Sequence, residues 1–379
     1  MSHFISLLLL TCVSYLMLLQ SELITDKNLA FLLSFLLSPV VSFLLYVLNW
    51  FQAHLTGISF VNHKSLVRNC YDTADNFIGN KHTDTGLDYG YNFYNGDQSL
   101  KPKEAQLAKY EYMWKKLELA AGKKLLDIGC GYGDWMKYCQ NRGVEVLGIN
   151  ISASQCKKLR ERGLPVINKD WEQVTFDELK LTKFDAITCM DTIEHYASPF
   201  HKFRRHLSDR KYQNLFDLIK GSLTRDGIFL TSCLFQQTPY RQWSLKLWTA
   251  AFIIDHSMGG YYPQLNGTIM GHDQLTVAAS RNHLKLHEAL DTTENYRISQ
   301  VWNTESWQNA NNLSNKSVLW LVWNIFKTYF TSPSFFMSLI GYFNLGWTTF
   351  WGEDPLNPEY NEPRRKRISH IRCYMATYR

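Results

Sequence analysis

The run Leu125–Asp134, LLDIGCGYGD, decides the fold of this 379-residue chain. Lys124 to Ile128 (KLLDI) reads as a short apolar strand, Gly129 to Gly133 (GCGYG) as a glycine-rich turn, and Asp134 to Asn141 (DWMKYCQN) as a helix. Glycines at 129, 131 and 133 let the backbone approach a ligand closely, and the helix behind them offers N-terminal amides that favour negative charge. Working outward, Val144 to Ile149 (VEVLGI) is a second strand, Ser154 to Arg162 a helix, and Pro165 to Asn168 a short third strand. Phe184 to Met190 (FDAITCM) is a fourth, Asp226-Gly227 turns the chain into a fifth, Ile228 to Ser232, and Ile368 to Tyr378 closes the sheet. This βαβαβ order predicts a doubly wound α/β sheet with its ligand at the carboxyl ends of the strands.

Two sets of polar side chains fall at such ends. Asp170 and Trp171 follow the third strand, where a carboxylate can accept from an adenine amino group and an indole can stack on the base. Asp191, Glu194 and His195 follow the fourth strand, where this kind of fold does its chemistry. Taken alone, His195 is equally a capping or packing residue; the two acids beside it favour function.

Hydrophobic residues make up 45% of the chain, enough for a buried core, and exclude a disordered or fibrous protein. The net charge of +6 is modest for this length. The cluster Arg364, Arg365, Lys366 and Arg367 suits an anionic partner, a lipid headgroup or nucleic acid, but a solvated charged stretch is the plainer reading, and no nucleic-acid partner is expected. The eight cysteines show no CxxC pair and no zinc-like spacing, so reduced thiols and no metal are expected.

Phe4 to Leu19 and Leu29 to Leu48 are apolar runs separated by a polar connector with Glu22, Asp26 and Lys27. The second is long enough to span a bilayer, and Pro39 would kink it without forbidding a span. The first lacks the basic start and the cleavage site of a signal peptide. One or two transmembrane helices are therefore expected over residues 1–55. Lys64 and Arg68 follow the second run, which places the next domain on the cytosolic side of the membrane.

The GxGxG spacing, with Asp127 ahead of it in the strand, resembles motif I of class I (Rossmann-like) methyltransferases more than a dinucleotide fingerprint, with a nucleotide hydride carrier as the alternative. Further segments narrow the resemblance: Tyr71-Asp72 with Phe77, EAQLAK (Glu104 to Lys109), GINIS (Gly148 to Ser152) with Gln155, and Glu194-His195. Together they resemble the cyclopropane-fatty-acyl-phospholipid synthase family. Its relatives include mycolic acid methyltransferases, sphingolipid C9-methyltransferases and coclaurine-type alkaloid N-methyltransferases. The resemblance runs from about Tyr71 to Phe235 and more faintly to the C-terminus.

It implies a seven-stranded, mostly parallel sheet and S-adenosylmethionine as methyl donor. It implies that Tyr71 and Tyr89 lie near the methionine part of the cofactor, with Gly129 and Gly131 beneath and Asp127 in the strand that carries the loop. It further implies Asn150, Ser152 and Gln155 near the ribose, and Asp170 with Trp171 near the adenine. Cyclopropane synthases hold bicarbonate with a cysteine, a glutamate and a histidine. Glu194 matches the glutamate, but Tyr91 and Ser232 stand near the other two positions, which speaks against a bicarbonate site. Asp191 stands where sphingolipid and alkaloid relatives carry a second acid, tilting the reading from ring closure toward plain methylation.

The domain reading is a membrane anchor over 1–55, a cofactor-covering N-terminal cap over 56–120, and a Rossmann-like core over 121–379 with a substrate-side insertion around 236–350. Gln242 to Met258 and Val318 to Trp351 are dense in aromatic and leucine residues, which suits an acyl tunnel or a membrane interface. The leading expectation is a membrane-bound methyltransferase acting on a carbon of an unsaturated acyl phospholipid or a sphingoid base, with Glu194, His195 and Asp191 catalytic. N-methylation of a small or lipid amine, and a non-catalytic membrane-tethered binding module, are the alternatives. Oligomeric state is not legible.

Overall fold

The computed structural model describes residues 90–97, 99–179, 182–198, 201, 204–236, 263–265, 270–299 and 371–379, with 302, 323 and scattered positions between 29 and 72. Tyr89, the apolar run Phe4 to Leu19, most of Leu29 to Leu48, and the aromatic stretches at 242–258 and 318–351 lie outside the described residues, Trp323 excepted. Among the described residues no helix is long and apolar enough to cross a membrane.

The elements run α1 (Pro102–Lys116), β1 (Lys124–Ile128), α2 (Asp134–Gln140), β2 (Glu145–Ile149), α3 (Ala153–Glu161), β3 (Val166–Ile167), β4 (Phe184–Met190), α4 (Arg205–Ser222), β5 (Leu223–Gln236), α5 (Gln274–Arg281), β6 (Leu286–Asp291) and β7 (Ile371–Tyr378). They build a seven-stranded sheet in the order β3-β2-β1-β4-β5-β7-β6. The first five strands pair in parallel, and β7 is antiparallel to both β5 and β6.

Side chains alternate across a strand, and here each strand feeds two separate cores. Leu126, Ile128, Ile187, Cys189, Phe229, Cys233, Tyr374 and Tyr378 point to one face. Leu125, Ala186, Ile228, Leu230, Cys373 and Met375 point to the other. On the first face α4 lays down Tyr212, Leu215, Phe216 and Ile219, spaced three or four apart as one side of a helix requires. Phe216 meets Phe229 edge-on, with ring centroids 5.5 Å apart. Burying each such aromatic stabilises the fold by about 2–3 kcal/mol. On the second face α1 contributes Tyr110 and Met113, and α2 contributes Trp135, Met136 and Cys139.

Two expectations change. The fifth strand begins at Leu223, not Ile228, because Leu223 already pairs with Phe184; Asp226-Gly227 sits within a register shift of the strand pair and not before it. Within the stretch read as an insertion, α5 and β6 belong to the core. The α5 helix is started by Asp273, whose carboxylate accepts from the N–H groups of Leu275 and Thr276 at 2.9 and 3.0 Å. Among the described residues the β6 strand pairs only with β7, a partner some 85 residues downstream.

The loop after β1 depends on left-handed backbone at Gly133, where φ is +76°. A Cβ there would lie 2.3 Å from Leu159 Cδ2 and 2.7 Å from Leu164 Cδ1. Gly133→Ala is therefore expected to lower unfolding stability by about 2 kcal/mol or more, combining strain with overpacking. Urea unfolding of the two proteins checks this, and an unchanged midpoint would contradict the assigned loop conformation.

Candidate active site

Strand order reverses between β1 and β4, opening a crevice at their carboxyl ends. The glycine loop leaves β1 there, and Asp191 to His195 leave β4. The two are in contact: a Cβ on Gly129 would meet Thr192 Cγ2 at 2.6 Å, so only glycine lets the loop close on the β4 turn. Beneath them Thr188 donates to Asp127 at 2.8 Å, locking β1 to β4. Asp127 is thus a buried strut of the loop. Over Gly131 the space is open, and a Cβ would meet nothing within 4 Å.

Asn150, Ser152 and Gln155 are brought together and buried. Asn150 Nδ2 donates to Gly131 O at 3.0 Å and to Gln155 Oε1 at 2.9 Å, while its Oδ1 accepts from Ser152 N–H at 2.9 Å. Ser152 caps α3 by accepting from Gln155 N–H. Its hydroxyl donates to Asp72 at 2.6 Å, and Ser154 Oγ donates to the same oxygen at 2.9 Å. Asp72 was legible only as the neighbour of Tyr71; nothing in its spacing announced two serine partners 80 residues away.

Asp170 begins the short 3-10 turn Trp171–Gln173, accepting from Glu172 N–H at 3.1 Å. Lys64 forms ion pairs with both Asp170 and Glu172, and Lys211 pairs with Glu172 from α4. These cations hold the Glu172 carboxyl below its ordinary range against the opposing effect of burial. Trp171 is buried against Tyr196, with ring centroids 5.1 Å apart. The described residues near Lys64 also reach the β4 turn. Tyr71 OH and His195 Nε2 share a hydrogen bond of 2.9 Å, and His63 Nε2 donates to His195 O at 3.1 Å. One short N-terminal stretch thus touches the ends of β2, β3 and β4.

Asp191 and Glu194 form the acidic centre. Asp191 is held in left-handed backbone, φ +51°, uncommon for a residue with a Cβ. Its Oδ1 accepts from Ser232 Oγ at 2.6 Å and its Oδ2 from Tyr91 N–H at 3.3 Å. Glu194 is 5% exposed, and its Oε2 has no hydrogen-bond partner among the described residues. Burial first, and the charge of Asp191 second, push the Glu194 carboxyl well above the usual carboxylate range. Two carboxyls sharing a desolvated site carry one negative charge more readily than two. Such a pair, one acid and one base, can hold and move a single proton. Among the described residues no three histidine, cysteine or acidic side chains converge to hold a metal.

The chain matches the family described as Mycolic acid cyclopropane synthetase over residues 60–340. A probable fatty acid methyltransferase of Mycobacterium tuberculosis is 32% identical over 149 residues, 38% of this chain and 31% of that protein. The cyclopropane-fatty-acyl-phospholipid synthase of Escherichia coli is 30% identical over 169 residues, 40% of this chain and 39% of that protein. The matched segments therefore span only about a third to two-fifths of these curated relatives. Among solved structures, mycolic acid cyclopropane synthase CmaA1 complexed with SAH and CTAB superposes with a TM-score of 0.60 at 19% identity, covering 84% of this chain and 98% of that one. The cyclopropane synthase MmaA2 from Mycobacterium tuberculosis gives 0.56 at 16%, covering 85% and 99%. Both are similar in fold.

Burial pushes the His63 imidazole down to about 4. Below about pH 6.5 the unfolded chain binds a proton at this position that the folded chain refuses until about pH 4, so stability falls as pH drops through that window. Denaturant midpoints measured from pH 7 to pH 4 are expected to decline more steeply in the wild type than in His63→Gln. The difference should reach about 2 kcal/mol; parallel curves would remove His63 from its buried, neutral place.

Proposed function

The chain belongs to the mycolic acid cyclopropane synthetase family, and we propose that it is an S-adenosylmethionine-dependent methyltransferase acting on a carbon of a lipid chain. The observation that carries the chemistry is the pair of acids beside the glycine loop, Glu194 buried and Asp191 half-buried, with the charge of Asp191 raising the Glu194 carboxyl after burial has done so. A methyl acceptor with no proton to lose would need neither acid in the dry interior.

The residues fit the cofactor. The open space above Gly131 leaves room for it where a side chain would intrude. Gly129 and Gly131 would lie beneath its methionine part, with Tyr71 at the side. Asn150, Ser152 and Gln155, buttressed by Asp72, would take the ribose end, and Asp170 with Trp171 the adenine end. Tyr89 keeps its expected place near the methionine part as a proposal only. When bound, the cofactor supplies an electrophilic methyl group, whose transfer leaves positive charge on an unsaturated acceptor.

The protein then has three tasks: orientation, exclusion of water and handling of one proton. The single negative charge of the acidic pair stabilises the developing cation at short range in a low-dielectric site. The same pair receives the proton that restores a neutral product. His195, tied to Tyr71 and to His63, holds the β4 turn so that Glu194 stays inside. No described residue supplies a nucleophile that the reaction would need.

A lipid acceptor is supported by the relatives named for fatty acid and fatty-acyl-phospholipid substrates. It is also supported by Leu29, Leu32, Leu36, Leu37, Val40, Leu44 and Leu48, exposed and helical at intervals of mostly three or four. Such a stripe suits the bilayer, so the proposal includes attachment to the membrane with the catalytic domain on its cytosolic side.

Incubating the purified protein with isotopically labelled cofactor and a membrane lipid extract is expected to place label in acyl or sphingoid chains. Label confined to amine headgroups or soluble amines would replace carbon by nitrogen as the acceptor. The double variant Asp191→Asn/Glu194→Gln should lose at least about a thousandfold in turnover while cofactor affinity, read by calorimetry, stays within about tenfold. Undiminished turnover would remove the acidic pair from the mechanism.

A further inference from the structure

The proton has two carboxyls to choose between, Asp191 and Glu194. We infer that Asp191 is the base that takes it and that Ser232 of β5 is the residue that positions Asp191 for the task. This rests on the proposed methyl transfer.

Ser232 holds Asp191 at two points. Asp191 N–H donates to Ser232 O at 2.9 Å, and Ser232 Oγ donates to Asp191 Oδ1 at 2.6 Å. The clasp keeps the residue in left-handed backbone at the end of β4, a conformation it would otherwise leave. Ser232 itself is fully buried and fixed by strand pairing, opposite Met190 on β4 and Met375 on β7. Tyr91 N–H reaches the other carboxylate oxygen at 3.3 Å. Hydrogen bonds donated to a carboxylate favour its charged form. A carboxylate oxygen carries two lone pairs, so accepting a hydrogen bond does not by itself stop it from taking a proton.

Glu194 is built the opposite way, buried with one oxygen bare of donors among the described residues. Among the described residues, Tyr91, Cys233 of β5 and Cys373 of β7 are titratable groups that face Asp191. Burial pushes all three upward, so they stay neutral. The negative charge therefore rests on Asp191, and Glu194 enters the reaction carrying its proton. In the step itself a C–H bond of the methylated substrate breaks, its electron pair forms the new double bond, and the proton passes to the Asp191 carboxylate. Glu194 keeps its own proton throughout.

The test uses the full chain and reads the carboxyls directly. Infrared spectra at neutral pH, with the Asp191 band assigned by its loss in Asp191→Asn, are recorded for wild type, Ser232→Ala and Ser232→Thr. An ionised Asp191 band is expected in the wild type, shifted and partly converted to the protonated form in Ser232→Ala, and restored in Ser232→Thr. Cofactor binding within about threefold of wild type in each variant reports an intact fold. With whichever lipid the extract experiment labels, Ser232→Ala should move the acid limb of the rate profile upward by about one pH unit. In the Asp191→Asn background the same change should cost less than about twofold, because the two residues act as one. A protonated Asp191 in the wild type, or a band unmoved in Ser232→Ala, overturns the inference. Absence of any labelled lipid would sink the proposed function while leaving the infrared result to stand or fall by itself.

Discussion

At the carboxyl ends of β1 and β4 the chain turns to opposite faces of the sheet, toward α2 on one and α4 on the other. The rest of the site depends on this reversal. It sets the glycine loop of β1 against the turn that follows β4, close enough that Gly129 admits no side chain beside Thr192. Asp127 and Thr188 fasten the two strands just below the loop and the acidic turn. A parallel sheet buried on both faces gives that fastening its stiffness, since each strand is packed from above and below.

On this base the chain assembles two sets of polar contacts. Around Asp170 and Glu172 they are ion pairs, made by Lys64 and Lys211. At Asp191 the Ser232 hydroxyl and the Tyr91 N–H donate to the carboxylate, and in the proposed reaction neutral donors of this kind hold a carboxylate while leaving its charge in place. His63, Lys64, Tyr71 and Asp72 join the two sets, reaching His195, Asp170 and Ser152.

Much of the frame was legible in the chain. The first four strands and the helices between them fall within a few residues of their expected limits, because apolar runs bounded by glycine turns carry their own signal. Asp191, Glu194 and His195 were legible as a group because a strand end in this fold is a defined place. The extent of β5 was not, because Leu223 joins the strand only through its partner Phe184, across a register shift that sequence does not display. Nor was β6, a half-buried strand whose pattern is weak and whose one described strand partner is the distant β7.

The sequence by itself determined the doubly wound order, the glycine loop and the set of side chains available for chemistry, since local periodicity and turn residues act over a few neighbours. Only the tertiary structure decided what those side chains do to one another. Asp72 with Ser152, Lys64 with Asp170, and Ser232 with Asp191 are partners 41 to 106 residues apart. Their contacts exist only after the strands have paired. LLDIGCGYGD sets the loop at the end of β1; the strand order around it decides which side chains stand beside that loop.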